Sequence, residues 1–289
     1  MSSFKPSLDT MLDRFNPERQ SPLSDTAIAR RDAALSKARA AVDTPHPPDE
    51  LMFVGGGDFK AVGQEVLGRI AAHTGLLPNH TVLDVGAGSG RLAVPMSSYL
   101  SKNGRYIGLE PVKKAVDWCA QAIGAVHPNF KFKHVPWHHP DYNPVGRLDP
   151  SKARWPVESG SVDRIASVSV FTHLSVSAIR QYALESCRCL KPGGVLFGTF
   201  FLIDEWSLKS AMKEPLALKF KRDGRLNAWV IDPDKKLAAI GFRPEQIEEV
   251  FKTAGLVDFG GITRGHWSGV ASLQGDAPYQ DIWCWQKPQ

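Results

Sequence analysis

Short apolar runs bounded by glycine, proline and asparagine alternate along this chain with stretches in which apolar residues recur at helical spacing. Residues 25–42 (DTAIARRDAALSKARAAV) read as a helix bounded by Ser24 and the proline-rich exit TPHPPDE. After FVGGGDF, a second helix over 60–74 carries Val62, Val66, Leu67, Ile70 and Ala71 on one face. The three glycines before it either make a turn or let backbone wrap closely around a ligand. TVLDVGAGSGRLAVPMSSYL then gives a strand at 81–85, a turn over 86–90 and a helical run over 91–100. RYIGLEPVKKAVDWCAQAI supplies a second strand ending at Glu110, and Pro111 opens the next helix, where its missing N–H costs nothing. A third strand is expected at 130–135. The longest apolar run, VLFGTFFLI at 195–203, reads as a buried strand, far short of the roughly 20 residues that span a bilayer.

The β-α-β-α order implies a parallel sheet flanked by helices, with a ligand crevice at the carboxyl ends of the strands. In 289 residues this predicts one α/β domain over 51–289, preceded by an N-terminal helical extension over 1–50. An aromatic-rich insertion over 204–233 is a candidate substrate wall. At 43% hydrophobic and 22% charged, the chain is neither disordered nor fibrous. Its 35 basic against 30 acidic side chains are too mild an excess to demand a nucleic-acid partner. Four scattered cysteines form neither a disulfide framework nor a zinc half-site, so reduced thiols are expected. MSSFKPSLDTMLDRF lacks the apolar core of a secretory signal, which points to the cytoplasm, and no membrane association is expected.

The glycine loop narrows the chemistry. A dinucleotide fingerprint G-x-G-x-x-G fails, because Arg91 stands where the third glycine belongs, Gly90 comes one place early, and Asp84 precedes the first glycine. The resulting D-x-G-x-G-x-G, followed by Glu110 at the end of the next strand, resembles the first two motifs of class I S-adenosylmethionine-dependent methyltransferases. SVDRIASVSVFTHL (161–174) resembles that family's fourth-strand motif, and RCLKPGGVLFGTFF (188–201) its helix, turn and fifth strand. GFRPEQIEEVFKTAGLVDFGGITRGHW and YQDIWCWQKP are similar to its last helix and closing antiparallel strands, so the likeness runs from about 53 to 289. It implies a Rossmann-like, seven-stranded, mostly parallel sheet in the order 3-2-1-4-5-7-6, with helices on both faces and an antiparallel last strand.

The resemblance also implies roles. The backbone at Gly86, Ala87, Gly88 and Gly90 would embrace the methionine part of S-adenosyl-L-methionine. Asp84 would hold the loop or the ammonium group, Glu110 would accept both ribose hydroxyls, and Pro111 would touch the adenine. Where the family often places an acid for the adenine amine, this chain has Val135, Pro136 and Trp137, leaving ring stacking on Trp137 or a plain core role. Ser169, within 167–171, would lie beside the sulfonium. His173 follows directly and is either a general base or a residue that caps a helix or bonds a backbone carbonyl. The adjacent pair His138 and His139 does not suit a metal, and none is expected. Lys191, Pro192, Gly193 and Gly194 are expected to turn a helix end into the fifth strand. His266 and Trp267 either approach the pocket or decorate a hairpin. The expected reaction is methyl transfer to an O or N atom of a small-molecule acceptor, a sugar or secondary metabolite. An RNA or DNA methyltransferase and a non-catalytic cofactor-binding regulator are the alternatives. The missing D/N-P-P-Y/F tetrad, Pro-Cys pair and basic module argue against nucleic acid, and oligomeric state is not legible.

Overall fold

A computed structural model of the chain describes residues 23–40, 44–53, 55–215, 217–269 and 277–289. The expected ends of the first helix at residues 41–42, and residues 1–22 of the extension, lie outside these. Side chains that alternate in direction along each strand divide the core in two. Leu83 and Val85 of β1 (Thr81–Val85) enter one cluster and Val82 the other; in β10 (Asp281–Gln286), Trp283 and Trp285 face one side, Ile282 and Cys284 the opposite one. Both faces of the sheet are therefore covered, as a parallel sheet requires.

The seven-stranded sheet runs β3 (Phe130–His134), β2 (Arg105–Glu110), β1, β4 (Val162–Ser167), β5 (Leu190–Phe200), β10 and β9 (Val257–Thr263). Strands β1 to β5 pair in parallel, while β10 runs antiparallel to both β5 and β9. This is the expected order, in which β1 and β4 lie side by side at the point where the chain reverses direction across the sheet.

One face is covered by α1 (Asp25–Arg39), α2 (Phe59–Thr74) and α3 (Ala93–Tyr99), which bury Ala34, Ala38, Leu67, Ile70 and Met96. The side chains of Ser24 and Asp58 cap α1 and α2 by accepting from Ala27 N and Ala61 N. α4 (Lys113–Cys119) follows β2. The other face takes α5 (Val176–Cys189), capped by Ser175, and α7 (Pro244–Thr253).

Four expected boundaries shift. Pro111 stands before α4, which begins at Lys113. Arg91 and Leu92 precede α3 as part of the loop. β5 begins at Leu190, before the expected turn at Lys191 to Gly194, which loops out of register with β4 between the pairs Val162–Leu190 and Arg164–Val195, with Gly193 at φ +75°; the chain after β10 holds it, Gly193 N donating to Lys287 O and Lys287 N to Gly194 O. The inserted unit also reaches beyond residue 233. After α6 (Glu205–Lys213), β6 (Lys221–Asp223) and β7 (Ala228–Val230) are joined by β8 (Ile240–Gly241) in a small antiparallel sheet. Ile203 N donates to Phe242 O and Phe242 N to Phe201 O, stitching that sheet to the chain leaving β5. No helix among the described residues is long and apolar enough to cross a membrane.

Candidate active site

The loop after β1 is pinned to β2 by two amides, Gly86 N and Ala87 N, which both donate to Leu109 O at 2.8 and 3.1 Å. Gly86, Gly88 and Gly90 adopt φ of +80°, +52° and +80°, the left-handed region that favours glycine. A Cβ at Gly86 would stand 2.5 Å from Val170 Cγ2, whereas at Gly88 it would meet nothing within 4 Å, so backbone there faces open space.

Glu110 bends back toward this loop from the end of β2. Its Oε2 accepts from Gly88 N at 2.8 Å and its Oε1 from Val112 N at 2.9 Å. Each oxygen keeps a lone pair for a further donor, so the carboxylate can serve two neighbouring hydroxyls while holding the loop. Burial raises its pKa to about 7 against the pull of the two amides. Asp84, on the α2 side of the sheet, accepts from the Tyr106 hydroxyl, and burial lifts its pKa to about 7 as well. Sequence reasoning identified Asp84 and missed Tyr106, whose apolar neighbours make it read as a core residue.

Two adjoining cavities open at the carboxyl ends of the strands. The larger, about 600 Å³, runs from Asp84, Gly86 and Ala87 to Phe59, Val66 and Arg91 on one side and Phe197, Thr199 and Gln280 on the other. The smaller, about 90 Å³, is lined by Glu110, Pro111, Trp137, His138 and Tyr182. Gly86, Tyr142, Val168, Ser169 and His173 line both. Trp137 is buried, its ring 5.3 Å from that of Tyr182, so it serves the core and the cavity wall together. Gly90 packs inward against Ile123 and Cys119. Ser169 holds φ +56°, rare for a residue with a side chain, and its amide donates to Thr199 Oγ1 at 2.7 Å.

His173 ends the short turn after β4 (Phe171–His173). Its Nδ1 lies 3.0 Å from Leu237 O, on the chain between β7 and β8. A carbonyl only accepts, so Nδ1 carries the proton and Nε2 keeps its lone pair. Tyr142 Oη stands 3.5 Å from that Nε2. Burial lowers the pKa of His173, so the ring is neutral at neutral pH. His139 fastens the arrangement: its Nε2–H donates to His173 O at 3.0 Å, while its Nδ1 accepts from Asp141 N and Tyr142 N. The two alternatives for His173, base or carbonyl partner, thus coexist in one ring. No group of three or more His, Cys, Asp or Glu that could hold a metal occurs among the described residues. Trp267 lies in the core with Phe201, donating to Asp281, and His266 rests against Tyr279.

An extended cavity bounded at one end by a buried carboxylate with spare lone pairs, and along one side by glycine backbone, fits an adenosyl group carrying an amino-acid tail. Comparison with known proteins points the same way. Residues 82–194 match the family model of a methyltransferase domain. In fold the chain is similar to a protein of Pyrococcus horikoshii (13% identity, TM-score 0.53, covering 83% of this chain and 95% of that one). It is likewise similar to a chain of the Haloferax volcanii complex between the Trm112 methyltransferase activator and a methyltransferase (15%, 0.52, 80% and 92%). A third is the Burkholderia thailandensis 1,6-didemethyltoxoflavin-N1-methyltransferase, solved with 1,6-didemethyltoxoflavin and S-adenosylhomocysteine (14%, 0.50, 93% and 93%). The matched segment spans the glycine loop, Glu110, His173 and the start of β5, and the chain carries a methyltransferase domain whose cofactor is S-adenosylmethionine.

Proposed function

We propose that the protein moves a methyl group from S-adenosylmethionine to an oxygen or nitrogen of a small molecule, with His173 as the group that takes the acceptor's proton. The observation that carries this reading is the fixed tautomer of His173 on the wall common to both cavities. The smaller cavity suits the adenosine end, with Glu110 accepting the ribose hydroxyls and Pro111 and Trp137 flanking the base. The backbone at Gly86, Ala87 and Gly88 suits the methionine end, leaving the remainder of the larger cavity to the acceptor.

When bound, the cofactor supplies an electrophilic methyl carbon on a positively charged sulfur. Glu110 and the backbone at Gly86, Ala87 and Gly88 would hold it so that an O or N lone pair of the acceptor takes that methyl, the electron pair of the broken C–S bond staying on sulfur. Nε2 of His173 accepts the proton released from the acceptor and passes it to solvent. Ser169 and Thr199 hold the end of β4 in the conformation that brings His173 to the cavity, so alignment and proton removal both come from rigid elements. Four cysteines without disulfides suit a reducing compartment, and on that ground we assign the protein to the cytoplasm.

The test is His173→Ala. Affinity for S-adenosylhomocysteine should stay within a few-fold, while turnover should fall by about 10²–10⁴, the range for losing a general base. Wild-type turnover should drop as the pH falls below the ordinary imidazole range, burial having lowered the pH at which the ring takes up a proton, and the variant should lack that inflection. Near-full turnover with an unaltered pH profile would make His173 a purely structural residue.

A further inference from the structure

The wall of the larger cavity opposite α2 carries one polar group that the reaction as described leaves unused. Gln280, the residue before β10, is half-buried and lines the cavity. Its Oε1 receives two hydroxyls, from Thr199 at 2.7 Å and from Ser169 at 3.1 Å. The direction of these bonds is set one step away. Thr199 Oγ1 already accepts the amide N–H of Ser169, so its own proton is free to point at Gln280. An amide whose oxygen is engaged twice is fixed in orientation, and its NH₂ is left on the opposite side. Among the described residues nothing bonds to that NH₂. The cavity thus presents an oriented donor from Gln280 and a lone pair from His173 Nε2.

The same cavity is lined by the apolar side chains of Leu51, Phe59, Val62, Val66, Phe197 and Ile282, and by the charged Glu65, Arg69 and Arg91. Hydroxyls of a sugar set against the apolar side chains would be left unpaired on burial. A flat, mostly apolar body with one hydrogen to lose and one adjacent acceptor matches the Gln280 donor, the His173 lone pair and the apolar part of the lining together.

Resting on the methyltransferase reading above, we propose that Gln280 is a specificity-determining residue. Its NH₂ donates to a carbonyl oxygen adjacent to the atom that is methylated, and the acceptor class is planar bicyclic or heteroaromatic compounds bearing a hydroxyl or ring N–H beside a ring carbonyl. Ser169 and Thr199 are positioning residues for this donor. Such a site rejects an analogue that lacks the carbonyl, because the fixed NH₂ is then buried without a partner.

The experiment compares two probes of equal frame on the full chain loaded with S-adenosylhomocysteine: 3-hydroxy-4-quinolone, with its hydroxyl beside a carbonyl, and 2-naphthol, without it. Titration calorimetry should show the quinolone binding at least about tenfold more tightly, the order expected for one buried hydrogen bond. With S-adenosylmethionine it should be methylated in preference. Gln280→Met removes the donor with little change in shape, and Gln280→Glu keeps the oxygen that Ser169 and Thr199 address while removing the NH₂. Both variants should lose the preference and retain the S-adenosylhomocysteine affinity of the wild type. Equal binding of the two probes, binding of neither, or a preference that survives in both variants overturns the proposal. So does a parallel loss of S-adenosylhomocysteine affinity in both, since the amide would then serve the cofactor. A wild-type protein that does not bind S-adenosylhomocysteine at all overturns the underlying reading of the site instead.

Discussion

Replacing Glu110 by Gln separates its two roles, holding the loop and receiving the ribose. The side chain is 5% exposed, and its two oxygens accept from Gly88 N and Val112 N. Glutamine offers one acceptor oxygen where glutamate has two, so one of the amides loses its partner, at a cost of about 1–3 kcal/mol at any pH. Against this stands the cost of burying a charge. With its pKa raised from 4.5 to about 7, Glu110 keeps its proton in the folded protein over a range where the unfolded chain has lost it. Stability therefore falls as the pH rises through that window, by about 3 kcal/mol in total, at 1.36 kcal/mol for each factor of ten in the proton equilibrium. Glu110→Gln removes that loss. The variant should melt several degrees below the wild type at pH 5 and close to it at pH 8. Cofactor binding behaves differently: hydroxyl donors favour the ionised carboxylate, so S-adenosylhomocysteine should release a proton from the wild type near pH 6 and none from this position in the variant. Affinity at pH 8 should drop by roughly ten- to hundredfold, or about 1.5–3 kcal/mol. Calorimetry in buffers of different ionisation enthalpy, with thermal melts at both pH values, reads all of this. A variant with wild-type affinity, the same proton release and the same pH dependence of melting would refute the assignment.

Two further expectations concern stability. Arg264, 3% exposed, pairs with Asp204, donates to Leu202 O and lies 4.0 Å from Asp281, whose own pKa burial raises. Arg264→Met should destabilise the fold by about 3–5 kcal/mol, because two buried carboxylates lose their cation; denaturant unfolding that moves by less than 1 kcal/mol, on the order of the value for an exposed pair, would contradict this. Burial and the neighbouring Arg69 lower the pKa of His73 from 6.5 to about 4. The unfolded chain therefore takes up a proton between these values that the folded chain refuses, and stability is lost as the pH falls from 6.5 toward 4. His73→Gln should flatten that acid limb, and a melting profile unchanged between pH 4 and 6.5 would refute the cause.

Much of the fold was legible because β1, β2 and the later part of β5 are short, mostly apolar runs closed by glycine, proline or a charged end, the pattern that burial on both faces imposes, while β3 (FKFKH) alternates apolar and charged residues as a half-exposed edge strand does. The glycine loop was legible by its spacing and Glu110 by the family resemblance which that spacing carries, since both belong to one β-α-β unit. The sheet β6–β8 was not, because strands of three, three and two residues leave no periodic trace and β8 joins from beyond the aromatic stretch. Nor were the partners of His173 and Ser169. Leu237 is 64 residues from the one and Gln280 is 111 from the other, and no local rule connects positions that only the folded chain brings together. His139 was visible as half of a doubtful metal pair; its use as a clamp depends on a backbone carbonyl, which has no sequence signature.

The bond from His173 to Leu237 sets the protonation pattern of the ring through a main-chain oxygen. Every amino acid supplies that oxygen, so replacing Leu237 by another residue leaves the imidazole with the same partner, and a scan of side chains across the inserted unit would pass over it without effect. Shortening or exchanging the segment between β7 and β8 would not. Such an exchange displaces the oxygen, frees the ring to carry its proton on either nitrogen, and divides the protein into one population ready to accept a proton and another facing the acceptor with an N–H. The inserted unit is in this sense heritable as a length and a path of chain, while its residues remain open to drift toward new acceptors.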